Sequence, residues 1–281
     1  MNLSDINTVR SLLQKNGFTF KKSLGQNFLI NPDVCPAMAD ASCDKDKGVI
    51  EIGPGIGVLT AELSARAKRV VAIELDERLK KILPVTLSDC ENVEVMYGDV
   101  LKTDLKALIA EKFSDCSSVA VCANLPYYIT SPIVMNLLES KLPIDSITVM
   151  VQKEAAERLC AKVGTRQAGA VSAAVSYFSE PKILFEVDKN SFMPPPKVDS
   201  AVIQLHIRDN PPVSVKDEAR FFRLVKACFA QRRKTLVNTV SNTAGIDKEN
   251  IKKALSQLGL SETVRGEKLT LEELAELSNL L

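Results

Sequence analysis

The sequence predicts an α/β fold, a mostly parallel sheet with crossover helices followed by a small all-helical C-terminal domain. Three observations lead there. From residue 48 to 151 short apolar runs alternate with longer amphipathic or polar stretches, the rhythm of parallel strands joined by helices. Past Asn210-Pro211-Pro212 strand patterns cease and helical ones take over, the double proline marking a linker. Between these signs, Val49-Ile50-Glu51-Ile52 runs straight into Gly53-Pro54-Gly55-Ile56-Gly57. That is a strand, a glycine turn that tolerates positive φ, and a helix start.

The strands are expected at 49–52, 70–74, 93–97, 119–123 and 146–151, with helices at 57–67, 76–88, 101–112 and 131–140. In the first helix Thr60, Leu63 and Ala67 fall on one buried face. Two further strands, 182–187 and 201–207, read as a late antiparallel pair closing the sheet edge. Helices follow at 214–230, 232–243, 247–258 and 270–281. The expected division is 1–209 for the α/β domain and 210–281 for the helical one. No internal repeat or low-complexity segment occurs.

At 281 residues the chain is long enough to bury one large core and a smaller second one. It has no run of 18 apolar residues, and Met1 to Gly17 lacks the cationic, apolar and small-residue succession of a signal peptide. The expected location is cytoplasmic, with no membrane partner. The seven cysteines are odd in number, dispersed and never spaced C-x-x-C, which argues against zinc or a disulfide framework; no metal is expected. The only histidine, His206, lies inside a strand pattern and reads as a partly buried structural residue. A net charge of +1 advertises no nucleic-acid partner in the total, so any such signal has to lie in its distribution.

The glycine turn departs from a dinucleotide site. The fingerprint G-x-G-x-x-G/A needs glycine or alanine at 58, and Val58 stands there. The sequence has E-x-G-x-G-x-G instead, and 21 residues after Gly53 comes Glu74 at the end of the second strand. A carboxylate there can accept from both ribose hydroxyls. Asp99 ends the third strand, where it can accept from the amino group of an adenine ring. Together with Gly53 and Gly55 these fit an adenosyl ligand without phosphates, S-adenosylmethionine. Taken singly, a glycine turn also serves as a tight connection and a strand-end carboxylate as a helix cap.

Directly after Val119-Ala120-Val121-Cys122-Ala123 the chain reads Asn124-Leu125-Pro126-Tyr127, a rigid polar turn at the C-terminal end of a strand, where open α/β sheets place ligands. The N6 lone pair of adenine is delocalised into the ring, so methyl transfer has to localise it. The Asn124 side-chain carbonyl and a backbone carbonyl of the Leu125 turn can accept the two N6 hydrogens. Tyr127 can stack on a base flipped out of its helix. In Phe192-Met193-Pro194-Pro195-Pro196-Lys197 the prolines stiffen a loop, which is expected to present Phe192 to the other face of the base and Lys197 to a phosphate. A structural connector with Phe192 in the core is the plainer alternative. Cytosine C5 chemistry would need a Pro-Cys turn, and no Pro-Cys dipeptide exists.

Between Ala219 and Ile246 stand Arg220, Arg223, Lys226, Arg232, Arg233 and Lys234 with no acidic residue. With Lys21 and Lys22 these are expected to hold a phosphate backbone at the site entrance; the alternative is a solvated basic face.

The segments Ser23-Leu24-Gly25-Gln26-Asn27-Phe28-Leu29, Glu51 to Gly57, Ile73-Glu74-Leu75-Asp76, Gly98-Asp99, Asn124 to Tyr127, Val151-Gln152-Lys153-Glu154, Phe192 to Ser200 and Gln231-Arg232-Arg233-Lys234-Thr235 resemble the ribosomal RNA adenine dimethyltransferases of the bacterial KsgA (RsmA) type. The likeness runs from about residue 20 to the C-terminus. It implies a Rossmann-like class I S-adenosylmethionine-dependent methyltransferase sheet with a helical, RNA-binding C-terminal domain. It also implies dimethylation at N6 of two adjacent adenines near the 3′ end of small-subunit (16S) rRNA, within an immature 30S particle, by a monomer. By family position Asn27, Leu29, Gly53, Glu74, Asp99 and Asn124 contact the cofactor, the first two from an N-terminal segment, 1–47, that covers it. Tyr128 stands where many members carry Asn. Two competitors remain at this stage: the large-subunit rRNA adenine methyltransferases of macrolide resistance, and a non-catalytic RNA-binding assembly factor. The Pro-Pro-Pro-Lys-Val-Asp-Ser and Gln-Arg-Arg-Lys-Thr segments favour the small-subunit type.

Overall fold

The computed structural model describes residues 1, 3–19 and 27–281; Lys21, Lys22 and the segment Ser23 to Gln26 lie outside them. The chain forms two compact units, Met1–Ala156 with Lys182–Ile207, and Glu157–Pro181 with Arg208–Leu281. The second therefore takes in a segment that the expected division at 209 leaves with the first.

In chain order the first unit begins with helix α1 (Ile6–Lys15), strand β1 (Phe28–Leu29), α2 (Val34–Ser42), β2 (Gly48–Ile52), α3 (Val58–Arg66) and β3 (Arg69–Glu74). The chain continues through α4 (Leu83–Thr86), β4 (Val93–Tyr97), α5 (Leu105–Lys112), β5 (Val119–Asn124), α6 (Thr130–Glu139), β6 (Ser146–Gln152) and α7 (Lys153–Leu159), which crosses into the second unit. After α8 (Ala170–Phe178) come β7 (Ser179–Val187), β8 (Phe192–Met193) and β9 (Ser200–Ile207). The helices α9 (Glu218–Phe229), α10 (Leu236–Ala244), α11 (Lys248–Gln257) and α12 (Leu271–Leu280) complete the chain.

Seven strands form one sheet in the order β4-β3-β2-β5-β6-β9-β7. β4 through β6 are parallel, and β9 runs antiparallel to β6. The order reverses between β2 and β5, and a crevice opens beyond the carboxyl ends of strands at such a point. β2 and the first five residues of β5 are buried throughout, which explains their apolar character, interrupted only by Glu51 in β2: helices cover both faces of a parallel sheet. Thr60, Leu63 and Ala67 are buried as the helical spacing predicts.

Several elements differ from expectation. The stretch 76–88 is a short 3-10 turn, Glu77–Lys81, followed by the single turn of α4, because Pro84 has no N–H to continue a helix from the turn before it. The helix expected at 101–112 splits in the same way. Asp99 accepts from Leu101 N and Asp104 from Ala107 N, so each carboxylate caps its own start. Asp217 and Thr235 delay α9 and α10 to 218 and 236 by capping them. His206 is exposed rather than partly buried, since it sits near the outer end of β9, paired with Ser146. α1, α2, α7, α8 and the β1–β8 ladder lie outside the elements expected from the sequence.

The second unit is built around Phe221, Leu236, Val240, Ile251, Leu255, Leu274 and Leu277, all buried. Its aromatic side chains interlock: Tyr177 packs edge-on to Phe222 with centroids 5.2 Å apart, and Phe178 stacks on Phe222 at 5.3 Å. No helix among the described residues is long and apolar enough to cross a membrane.

Candidate functional site

The carboxyl ends of β2, β3, β4 and β5 open into one cavity, lined among others by Glu51, Gly53, Gly55, Glu74, Asp99 and Asn124 to Tyr128. Strand register brings them together. Ile52 lies beside both Ile73 and Ala123, so Gly53 and Asn124 emerge side by side, and Glu74 pairs with Tyr97, one residue before Gly98-Asp99.

The turn after β2 needs its glycines. Gly55 has φ +60°, a region that strains other L-residues, and a Cβ there would come within 3.2 Å of the Phe28 ring. Its backbone N–H donates to Glu74 Oε2 at 3.1 Å, and Asp76 N–H donates to Glu74 Oε1 at 2.7 Å. The Glu74 carboxylate is thus fixed across two loops. Burial raises its pKa, while the two backbone donors oppose that rise.

Glu51 is only 1% exposed, and its Oε2 has no hydrogen-bond partner. Burial pushes its carboxyl up to about 8; the nearby Glu74 adds to this and the Thr60 hydroxyl opposes it. In the sequence Glu51 stands out only as the acid of the glycine motif. The available signal was a carboxylate in the middle of an otherwise apolar buried strand. Asp99 both lines the cavity and caps the 3-10 turn Val100–Lys102, so the capping role and the strand-end position coexist.

At the end of β5 the Asn124 amide has no hydrogen-bond partner among the described residues, whereas the following turn is held: Leu125 N–H donates to Met150 O at 3.1 Å. The Tyr127 hydroxyl lies 2.7 Å from Ser200 Oγ. Burial raises the phenol pKa and the Ser200 bond opposes it. Tyr128 is 58% exposed on the rim.

β1 and β8 pair antiparallel, Phe28 with Met193 and Leu29 with Phe192, and Ile30 N–H donates to Ser191 O. This ladder brings Asn27 and Leu29 to the cavity wall next to the proline-rich segment. It also corrects the expectation for Phe192. Rather than standing out on a loop, the ring is 2% exposed and packed in the core with Leu29, Met38 and Met150, contributing to the cavity wall from behind. Lys197 is exposed on the loop that follows.

In the second unit α9 turns Phe221, Leu224, Val225 and Cys228 inward, leaving Arg220, Arg223 and Lys226 exposed. Arg233 and Lys234 are exposed in the turn before α10. Arg232 is exposed but tethered: it donates to the carbonyls of Arg166 at 3.1 Å and Ala168 at 2.6 Å. Part of its hydrogen-bonding capacity therefore holds a loop.

Residues 17–281 match the profile of the family described as ribosomal RNA adenine dimethylase. The ribosomal RNA small subunit methyltransferase A of Geobacillus thermodenitrificans is 51% identical over 276 residues, 97% of this chain and 94% of that protein. Its namesake from Bacillus licheniformis is 50% identical over the same shares of the two chains. Among solved structures, a dimethyladenosine transferase from Plasmodium falciparum superimposes with a TM-score of 0.70 at 26% identity, covering 89% of this chain and 95% of that one. The 23S rRNA methyltransferase ErmE gives 0.69 at 28%, covering 91% and 99%. The glycine turn, the strand-end carboxylates and the Asn-Leu-Pro-Tyr turn thus occur in a chain that belongs to the ribosomal RNA adenine dimethylase family.

Proposed function

We propose that this chain transfers methyl groups from S-adenosylmethionine to N6 of two adjacent adenines in the hairpin loop near the 3′ end of small-subunit (16S) rRNA. It acts as a monomer in the cytoplasm, on an immature 30S particle. The observation that carries the reading is the joining of the Asn124–Tyr127 turn to the carboxylates Glu51, Glu74 and Asp99 around one cavity. No Lys, Arg or His lines that cavity among the described residues. This donor set suits a cationic nucleoside and disfavours a pyrophosphate, and the orphaned Glu51 oxygen suits an N–H donor. The residues present therefore fit the cofactor, which when bound supplies an electrophilic methyl group on a sulfonium sulfur.

Glu74, already oriented by two backbone donors, keeps lone pairs for the ribose hydroxyls. Asp99 accepts from the adenine amino group, and Asn27, Leu29, Gly53 and Gly55 line the remainder. The Asn124 carbonyl, with a backbone carbonyl of the Leu125 turn, accepts the N6 hydrogens of the target base and favours a pyramidal nitrogen whose lone pair faces the methyl group. No strong base is needed, because the N6 proton becomes acidic only as the new bond forms. Tyr127 stacks on the flipped base, and Phe192 stiffens the wall behind it. Lys197, Arg220, Arg223, Arg233 and Lys234 hold phosphates, with Arg232 contributing the part of its guanidinium that the loop leaves unused; Lys21 and Lys22 join them from the segment outside the described residues. About half of all positions are shared with small-subunit methyltransferases, which favours that substrate over large-subunit rRNA. Mass-spectrometric mapping of rRNA from cells lacking this protein tests the reading. Loss of two dimethyladenosines in small-subunit rRNA supports it, and an unchanged small subunit refutes it.

A further inference from the structure

Each carboxylate of the cavity has a different balance. Glu74 accepts two backbone N–H bonds, and Asp99 accepts from Leu101 N–H with the Lys102 ammonium 3.8 Å away. Glu51 has neither: it is the most buried of the three, and its Oε2 is orphaned. The groups facing it are acidic or neutral on every side. Glu74 approaches from β3, Thr60 from α3, Cys35 from α2 and Cys122 from β5. Both thiols are themselves pushed up by burial, with Glu51 among the secondary causes. A carboxyl group in such surroundings, pushed up to about 8, keeps its proton in neutral water.

We propose that Glu51 is the proton-linked counter-charge for the ammonium group at the amino-acid end of the cofactor, neutral in the free protein and ionised when that ammonium is bound. The inference rests on the cofactor reading above and adds to it. An ammonium has three N–H donors for a carboxylate lone pair, whereas a sulfonium has none. As the ammonium arrives the Glu51 O–H bond breaks, the electron pair stays on the carboxylate, and the proton leaves to solvent. The ammonium keeps its own protons, so binding is accompanied by release of one proton.

Calorimetric titration at pH 6.5 in two buffers of different ionisation enthalpy reads this directly. Wild-type protein is expected to release about one proton on binding S-adenosylmethionine. It should release as much with S-adenosylhomocysteine, which keeps the ammonium but has a neutral sulfur, and none with 5′-methylthioadenosine, which has no amino-acid end. Glu51→Gln should bind S-adenosylmethionine without release. The wild-type affinity should rise up to about tenfold per pH unit from 6 to 7, and the variant's should stay flat. Binding of S-adenosylmethionine by the wild type without proton release overturns this inference alone, as does equal release with 5′-methylthioadenosine or in Glu51→Gln. Absence of any binding overturns the cofactor reading and this inference with it. The 5′-methylthioadenosine comparison uses wild-type protein and stands whether or not the variant folds.

Discussion

The Tyr127 phenol and the Ser200 hydroxyl lie 2.7 Å apart, which fastens the aromatic of the Asn-Leu-Pro-Tyr turn to the end of the proline-rich segment. Ser200 is fully buried on β9, opposite Gln152, so its hydroxyl is held in a fixed place. Ser200→Ala should lower methyl transfer several-fold and cost about 1–3 kcal/mol of stability, because the half-buried phenol is left unsatisfied. Tyr127→Phe keeps the ring and should lose far less activity than Tyr127→Ala. If the bond acts through Tyr127, the double variant Tyr127→Phe, Ser200→Ala should be no slower than its worse single parent. Single-turnover rates on small-subunit particles, with denaturation curves alongside, check all four.

The ribose role of Glu74 predicts that Glu74→Gln weakens S-adenosylmethionine binding by about 1.5–3 kcal/mol while the protein stays folded. Gln retains an oxygen acceptor for one of the two backbone donors, Gly55 N–H or Asp76 N–H. Titration calorimetry on the variant measures the loss, and an unchanged affinity removes Glu74 from the ribose.

Glu51 also predicts how the cofactor-free protein responds to pH. Its folded-state pKa, about 8, is raised above the ordinary 4.5. Between these values the folded state holds more protons than the unfolded one, so this group's contribution to stability falls as pH rises through that window. Glu51→Gln should therefore gain melting temperature relative to wild type from pH 5 to 8, with the difference levelling off above 8. Thermal melts across that range decide it, and a constant difference would show that Glu51 does not titrate there.

For the basic segment, Arg233→Gln and Lys234→Gln should weaken RNA binding and reduce the salt slope by roughly 0.7–0.9 for each lost phosphate contact, leaving cofactor affinity intact. Arg232→Gln should do something different. Its guanidinium holds the Arg166 and Ala168 carbonyls, so about 1–2 kcal/mol of stability should go with it. Salt-dependent binding and denaturation, measured on the three separately, distinguish the two kinds of arginine.

What could be read from the sequence was whatever depends on local order. The strands β2 to β6 and the carboxyl-end positions of Gly53, Glu74, Asp99 and Asn124 follow from apolar runs ended by turn residues. α1 is likewise a local element, capped by Asp5 with Val9, Leu12 and Leu13 buried on one face. α8 was out of reach, because Ala170 to Phe178 is apolar nearly all round and shows no periodic face. β1 is two residues long and exists only through its pairing with β8, more than 160 residues away. The burial of Phe192, the tether on Arg232 and the isolation of Glu51 likewise depend on distant partners. Charge and aromaticity mark such residues as candidates, but only the fold shows which of them face the cavity.

The Asn124 turn is assigned to hold the target adenine for methyl transfer, and single-turnover methylation of small-subunit particles by Asn124→Ala with labelled cofactor tests this most directly. Cofactor affinity has to be measured in parallel so that particles are compared at equal saturation. An amine without its acceptors keeps its lone pair in the ring, so the rate should fall by about 3–4 kcal/mol of transition-state stabilisation, more than a hundredfold, with no dimethyladenosine formed on the wild-type timescale. A near-wild-type rate at saturating cofactor would contradict the account.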